Sequence, residues 1–406
     1  MNQQKEKGLN LLLNYHQIEN NMNSKSLHGS SVDEIRKALK ECMSDGFKPT
    51  LAIAFVSIKL DRNAICEIFE NEGVAIFGAT SCGEFTDGNQ SEGASAILLL
   101  DINPNYFSIL FEDLSDRSLA ETSRELARKA LKCFKNPGFI LCTTGLSEDG
   151  ELLDGEMIIR SIEDIVGPEV NITGGMAGDD WSYSGSYIFT KGFETKFGIS
   201  SLVFDLDKVS LQGMAISGWK PIGISRTITK CEGTMLYTID DQPALDMYLK
   251  YLGESYDDSK DKYHLFENVA VHYPFLVERE NGGSMMATPM SVDQEHKALI
   301  CDVPLRQGAK LSFTMPPDFD FVEEVLEKAR ELQQGSNDSG DALLVFSCAG
   351  RVSALGPLAN LENEGLAEVW KAPMAGFYTY GEFGRALNER QEFHSTTNSW
   401  VVIKEK

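Results

Sequence analysis

Four short stretches put glycine beside hydroxyl, thiol or carboxyl side chains just where an apolar run ends. They are Thr80-Ser81-Cys82-Gly83-Glu84-Phe85, Thr173-Gly174-Gly175-Met176-Ala177-Gly178-Asp179-Asp180, Ser347-Cys348-Ala349-Gly350-Arg351 and Tyr378-Thr379-Tyr380-Gly381-Glu382-Phe383. In open α/β layers a ligand sits beyond strand ends, where glycine lets backbone amides approach and neighbouring polar side chains orient what is bound. The candidate pocket residues are therefore Thr80, Gly83, Glu84, Gly174, Gly175, Asp179, Ser347, Arg351, Tyr380 and Glu382, in the seam of two modules or at the strand ends of one.

Each has a plainer reading. The glycines at 174 and 175 lack the full dinucleotide-binding spacing and fit a tight turn. Glu84 and Glu382 serve a turn's backbone amides as readily as a ligand. Arg351 is the group best suited to an anion, and equally suited to a structural ion pair. The enzymatic alternative, acting on a small metabolite, uses either Cys82 as nucleophile or Glu84 with Glu382 as an acid/base pair. A free cysteine on a strand, such as Cys82 or Cys348, is more often a small buried hydrophobe. Phosphate-loop, nucleophile-elbow, zinc-protease and calcium-loop signatures are all missing. Of six histidines, His272 shares a strand face with Ala270, Pro274 and Leu276, and His394 stands beside Phe393 and ahead of three hydroxyl residues.

The elements that must position these groups follow from periodicity. Ser31 to Glu34 has the form of a capping box for a helix reaching Ser44, with Val32, Ile35, Leu39 and Met43 on one face. Strand 51–57, helix 62–71 and strand 74–78 follow, and the alternation recurs in strand 94–100, helix 119–134, strand 139–144, helix 155–166 and strand 170–173. From 187 to 238 strands dominate, which predicts an antiparallel segment. Asp240 and Asp241 before Pro243 predict a capped helix to Tyr251, then strands at 268–277, 285–289, 298–302 and 310–314, a helix at 319–333 and a strand at 342–348. The run 51–85 is echoed by 342–383, each ending in Gly-Glu-Phe, so Glu84 and Glu382 are expected at equivalent positions. The fold class is α/β in the mixed α+β sense: two related modules with mixed, partly parallel sheets flanked by helices, plus an antiparallel segment.

Composition narrows the function. With 37 Lys and Arg against 61 Asp and Glu, the net charge of −24 repels phosphate backbones and argues against nucleic acid as a partner. Apolar runs stop far short of the ~20 residues needed to span a bilayer, so no membrane insertion is expected. Eight scattered cysteines without a C-x-x-C motif, and no signal-peptide pattern at the start, lead us to expect the reducing cytoplasm.

The stretch 217–253, SGWKPIGISRTITKCEGTMLYTIDDQPALDMYLKYLG, taken with Ser-Cys-Gly-Glu at 81–84, Gly-Gly-Met-Ala-Gly-Asp at 174–179, Phe-Ser-Cys-Ala-Gly-Arg at 346–351 and Gly-Phe-Tyr-Thr-Tyr-Gly-Glu at 376–382, resembles the FIST proteins (F-box and intracellular signal transduction). The resemblance runs from about 48 to 400 and implies a FIST N-type module at 46–238 and a FIST C-type module at 239–386, which leaves the polar leader and capping helix at 1–45 and a C-terminal segment at 387–406 that reads as a strand. It implies a sensor that binds a small ligand and reports to a separate partner such as a histidine kinase. A subset of the family binds haem and senses nitric oxide, which makes haem the cofactor to look for. His272, then His394, would be its axial ligand, although no C-x-x-C-H motif is present.

Overall fold

The computed structural model describes residues 22–115, 117–145, 152–182, 184–255, 265–280, 282–318, 320–336, 340–386 and 390–406. Its chain order repeats one pattern three times. The first unit runs β1 (Ser24–His28), α1 (Val32–Met43), β2 (Leu51–Val56), α2 (Arg62–Asn71), β3 (Ala75–Thr80), a short hairpin β4 (Glu84–Thr86) and β5 (Asn89–Ser91), and β6 (Ser95–Leu100). The second runs β7 (Phe107–Asp113), α3 (Leu119–Cys133), β8 (Pro137–Thr143), α4 (Gly155–Val166), β9 (Asn171–Met176), hairpin β10 (Ile188–Thr190) and β11 (Phe193–Thr195), and β12 (Gly198–Asp205).

The third unit opens with β13 (Val209–Ile216) and is interrupted by an antiparallel eight-stranded sheet: β14 (Lys220–Glu232), β15 (Met235–Ile239), β16 (Gln242–Pro243), β17 (Phe275–Glu278), β18 (Ser284–Ala287), β19 (Pro289–Asp293), β20 (Ala298–Cys301) and β21 (Lys310–Met315), with α5 (Ala244–Leu252) packed on it. It resumes with α6 (Phe321–Ser336), β22 (Ala342–Cys348), α7 (Ala349–Leu355), α8 (Pro357–Trp370), β23 (Met374–Thr379), hairpin β24 (Glu382–Arg385) and β25 (Gln391–His394), and β26 (Asn398–Glu405).

Each unit builds a mixed sheet around one parallel pair, β2–β3, β8–β9 or β22–β23. Each hairpin leaves its own unit and pairs with the preceding unit's parallel strand: β10 with β3, β24 with β9, and β4 with β23. The exchange closes in a cycle, and the Gly-Glu-Phe echo compares the first unit with the third.

The continuous apolar strands have a simple cause. Leu51, Ile53 and Phe55 enter a central core shared with Ile140, Cys142, Leu344, Phe346 and Phe377, while Ala52, Ala54 and Val56 lie under α1 and α2. Both faces are covered, so alternation disappears. Phe55 stacks on Phe377 at 4.3 Å, joining the first and third units across that core.

Local differences from the sequence reading have identifiable reasons. The expected polar leader contains β1, an edge strand held antiparallel to β6. Ser31 caps α1 through the Glu34 amide, but the Glu34 carboxylate takes the Ser30 amide instead of that of Ser31. Asp240 and Asp241 do not cap α5: both have positive φ and turn the β15–β16 hairpin, and Asp240 accepts the Thr227 amide. The strand expected at 268–277 begins only at Phe275, because Phe266–Ala270 forms a π-helical turn and 271–273 a further turn. Trp219 Nε1 donates to the His272 carbonyl there, which gives that carbonyl a partner outside any sheet.

Candidate functional site

At the C-terminal ends of the parallel pairs β8–β9 and β22–β23 lies a partly open cavity. Gly145, Leu153, Met176 and Asp179 come from the second unit, Cys348, Ala349, Thr379 and Ser395 from the third, and Phe266, Met290 and Asp302 from the inserted antiparallel region. The placement follows from the fold, since loops leaving adjacent parallel strands diverge and leave a crevice. Its walls are mainly apolar, with two polar clusters set into them.

The first cluster is centred on Asp179. Its Oδ2 accepts the amides of Ser184 and Gly185 at 2.7 and 3.0 Å, and its Oδ1 accepts the Tyr380 hydroxyl. Tyr380 stands edge-on to Trp181, which also lines the cavity. Asp180 and Trp181 both adopt left-handed backbone, with φ of 53° and 61°. For non-glycine residues this is strained, and such strain persists where surrounding contacts fix a functional loop.

The second cluster is centred on Asp302, just after β20. Its Oδ1 accepts the Thr288 amide at 2.7 Å and its Oδ2 the Ser395 hydroxyl. The hydroxyls of Thr288, Ser395 and Thr396 lie within 3.2 to 3.3 Å of one another. Burial pushes the Asp302 carboxyl up to about 6. The residue nevertheless keeps some accessible surface and borders the cavity, so its depth comes from the surrounding protein mass and its exposure from the cavity.

Of the ten candidates read from the sequence, Asp179 and Tyr380 line the cavity. Glu382 and Glu84 are buried behind strand ends in matching roles. Glu84 accepts the Ser81 hydroxyl and the Ala94 amide, while Glu382 accepts the Thr379 hydroxyl and the Thr397 amide. Each carboxyl therefore holds its own hairpin turn to the start of the unit's last strand, and Ile188 occupies the corresponding place in the second unit. Burial raises the Glu84 carboxyl to about 7 and that of Glu382 well above its usual range.

Thr80 bonds the Gly178 carbonyl, and Gly83 packs its backbone on Tyr378. Gly174 has φ +154° with the Leu141 carbonyl where a Cβ would stand, and Gly175 packs on Thr379. Ser347 is fully buried. Arg351 is fully buried too, and it grips Glu362 with two bonds of 2.6 and 2.8 Å while donating to the carbonyls of Ser217 and Thr396. None of these eight residues, Arg351 included, lines the cavity. Sequence reasoning missed Asp302, Thr288, Ser395 and Thr396, which lie at element ends far apart in the chain. The Ser-Thr-Thr run at 395–397 was the one available signal.

Neither His272 nor His394 sits as a haem ligand would. His272 is on a turn, not on the apolar strand face expected of it, and His394 is buried in β25 with Nε2 against the Gly384 carbonyl at 3.3 Å. Burial lowers the His394 imidazole to about 3. Neither side chain lines the cavity, and among the described residues no three His, Cys, Asp or Glu side chains gather as a metal would require. A haem ligated by His272 or His394 thus does not fit the surroundings of those two residues. Cys82, the candidate nucleophile, lies beside Tyr380 with its thiol pushed up to about 12 by burial, so it holds almost no thiolate at neutral pH. No helix among the described residues is long and apolar enough to cross a membrane.

Residues 50–242 match the family model of the FIST N domain, and residues 244–385 match that of the FIST C domain. The chain is also 26% identical over 226 residues to an uncharacterized protein of Methanocaldococcus jannaschii. That alignment takes in 50% of this chain and 41% of the relative, so the chain spans less than half the length of the relative it matches.

Proposed function

This chain belongs to the FIST family, whose domains are sensory domains of signal transduction, and from that premise we propose that the cavity is its sensory pocket. It binds a small molecule with an apolar body and a few polar groups, reversibly, and its occupancy is read by a separate signalling partner such as a histidine kinase. The observation that carries this reading is the construction of the cavity: FIST N residues such as Asp179 and Met176 face FIST C residues such as Asp302 and Tyr380 across one space. A molecule held between them contacts both parts and so can favour one arrangement of the pair over another. A differential of ~1 to 3 kcal/mol between two arrangements suffices for a signal.

The donor set supports an organic ligand over haem, because the polar groups at the walls are carboxyls and hydroxyls. The protected Cys82 thiol and the separate structural engagement of Glu84 and Glu382 support sensing over catalysis. The test is native mass spectrometry and visible absorption of the purified chain, followed by thermal-shift titration of whatever ligand is retained. An Ala349→Phe variant, which fills the cavity, should retain no ligand while keeping its fold. Equal retention by that variant refutes the pocket. A Soret band that moves on addition of nitric oxide refutes the organic reading in favour of haem.

A further inference from the structure

The cavity is chemically one-sided. Among the described residues none that lines it is lysine, arginine or histidine, while Asp179 and Asp302 border it from different parts of the chain and Trp181, Phe266, Tyr380 and Phe393 supply aromatic surface. Lys196 lies against Gly185 on the Asp179 side of the cavity, and two arginines that touch the cavity's backbone from outside are engaged elsewhere. Arg351, which reaches the Thr396 carbonyl, is paired with Glu362, and Arg279, which reaches the Phe393 carbonyl, is paired with Glu156 and Glu392.

We propose that the pocket selects a small primary ammonium compound with an apolar body, its cationic head on the Asp302 carboxylate and neighbouring hydroxyls and its hydrocarbon against the aromatic walls. This rests on the sensory-pocket reading and deepens it by naming the ligand's chemical class. A cation compensates a carboxylate held in low-dielectric surroundings, whereas an anion meets only like charge there and a neutral molecule leaves the carboxyl's desolvation uncompensated. The oxygens of Thr288, Ser395 and Thr396 can each accept an ammonium N–H, and aromatic faces attract the adjacent positive charge. The protein's net charge of −24 also draws cations toward it over longer range.

Binding should follow the ionisation of Asp302. Among the described residues the titratable groups set around it are the Cys301 and Cys348 thiols, both raised well above their usual range by burial, and Glu382 behind Cys348, with no cationic group among them. The carboxyl, pushed up to about 6, is ionised above that pH and ready for an ammonium head.

The experiment is calorimetric titration of the full chain with three probes of one shape: phenethylamine, phenethyl alcohol and phenylacetate. The amine should bind at least tenfold more tightly than the other two at neutral pH. Its affinity should fall by up to about tenfold for each pH unit below ~6, as expected for one linked proton, and Asp302→Asn should abolish its advantage while leaving the alcohol's affinity unchanged. If that variant fails to fold, the pH series on the unmodified chain decides. Phenylacetate or the alcohol binding as tightly as the amine, or an amine affinity that is flat with pH, overturns the ammonium assignment alone. Binding by none of the three overturns the sensory-pocket reading together with it.

Discussion

Replacing Arg351 by methionine removes the positive half of an ion pair wholly shielded from water, since Arg351 and Glu362 side chains are both 0% exposed. Methionine keeps comparable bulk beside Trp219 and Phe321, whose rings lie 5.6 and 5.2 Å from the guanidinium, so the main loss is electrostatic. The Glu362 carboxylate is left buried without its partner, which costs ~3 to 5 kcal/mol. The carbonyls of Ser217 and Thr396 lose a donor as well, but these losses are not additive with the first because the same guanidinium serves all three. The expected total is about 4 kcal/mol, a large share of the ~5 to 15 kcal/mol that holds a typical protein folded. Removing the carboxylate too, in Arg351→Met with Glu362→Leu, should recover at least ~2 kcal/mol of that loss, because no unpaired charge then remains buried. Guanidinium unfolding followed by tryptophan fluorescence measures both, with Trp219 beside the site as a reporter. A single-variant loss below ~1 kcal/mol, or a double variant no more stable than the single, would refute the reasoning.

The Glu84 carboxyl, raised from 4.5 to about 7 by burial, binds a proton more tightly folded than unfolded, so its contribution is full below pH 4.5 and is lost as pH rises through about 7. Glu84→Gln should flatten this part of the stability profile, by up to ~3 kcal/mol between those limits, in unfolding curves compared with the unmodified chain; an unchanged slope would show that another group titrates. Under native conditions alkylation followed by mass spectrometry should modify exposed Cys133 first and leave Cys82, Cys142 and Cys348 protected, whereas early modification of Cys82 would revive the nucleophile reading. Gly78→Ala places a Cβ 2.3 Å from the Phe189 ring and should destabilise by ~1 to 3 kcal/mol, with partial rescue by Phe189→Leu; a neutral result would mean that the exchanged hairpin does not pack as described.

Much of the fold is legible in the residues. Strand 51–56 and strand 342–348 are continuous apolar runs because one face meets the shared core and the other lies under helices, and the cap of α1 is carried by Ser31 itself. Those signals are local, so a linear reading reaches them. Asp240 and Asp241 misled because carboxylates before a proline serve a helix cap and a hairpin turn equally well, and the partner that decides, Thr227, lies on the neighbouring strand. His272 misled because the apolar pattern around it satisfies a π-helical turn as readily as a strand.

The site divides in the same way. Asp179 and Tyr380 were marked by glycine-bearing strand ends, and the structure joins them across the second and third units. Glu84 and Glu382 carried the same mark, yet each is turned to bond its own chain. The sequence by itself determined the strand–helix–strand repeats, the acidity and the family, because propensity, patterning and composition act between near neighbours or over the whole chain. Only the tertiary structure decided that the hairpins exchange between units, that Arg351 is gripped by Glu362, and that Asp302 meets Ser395. Each of these depends on groups far apart in the chain, whose approach is fixed by packing and has no sequence period to announce it.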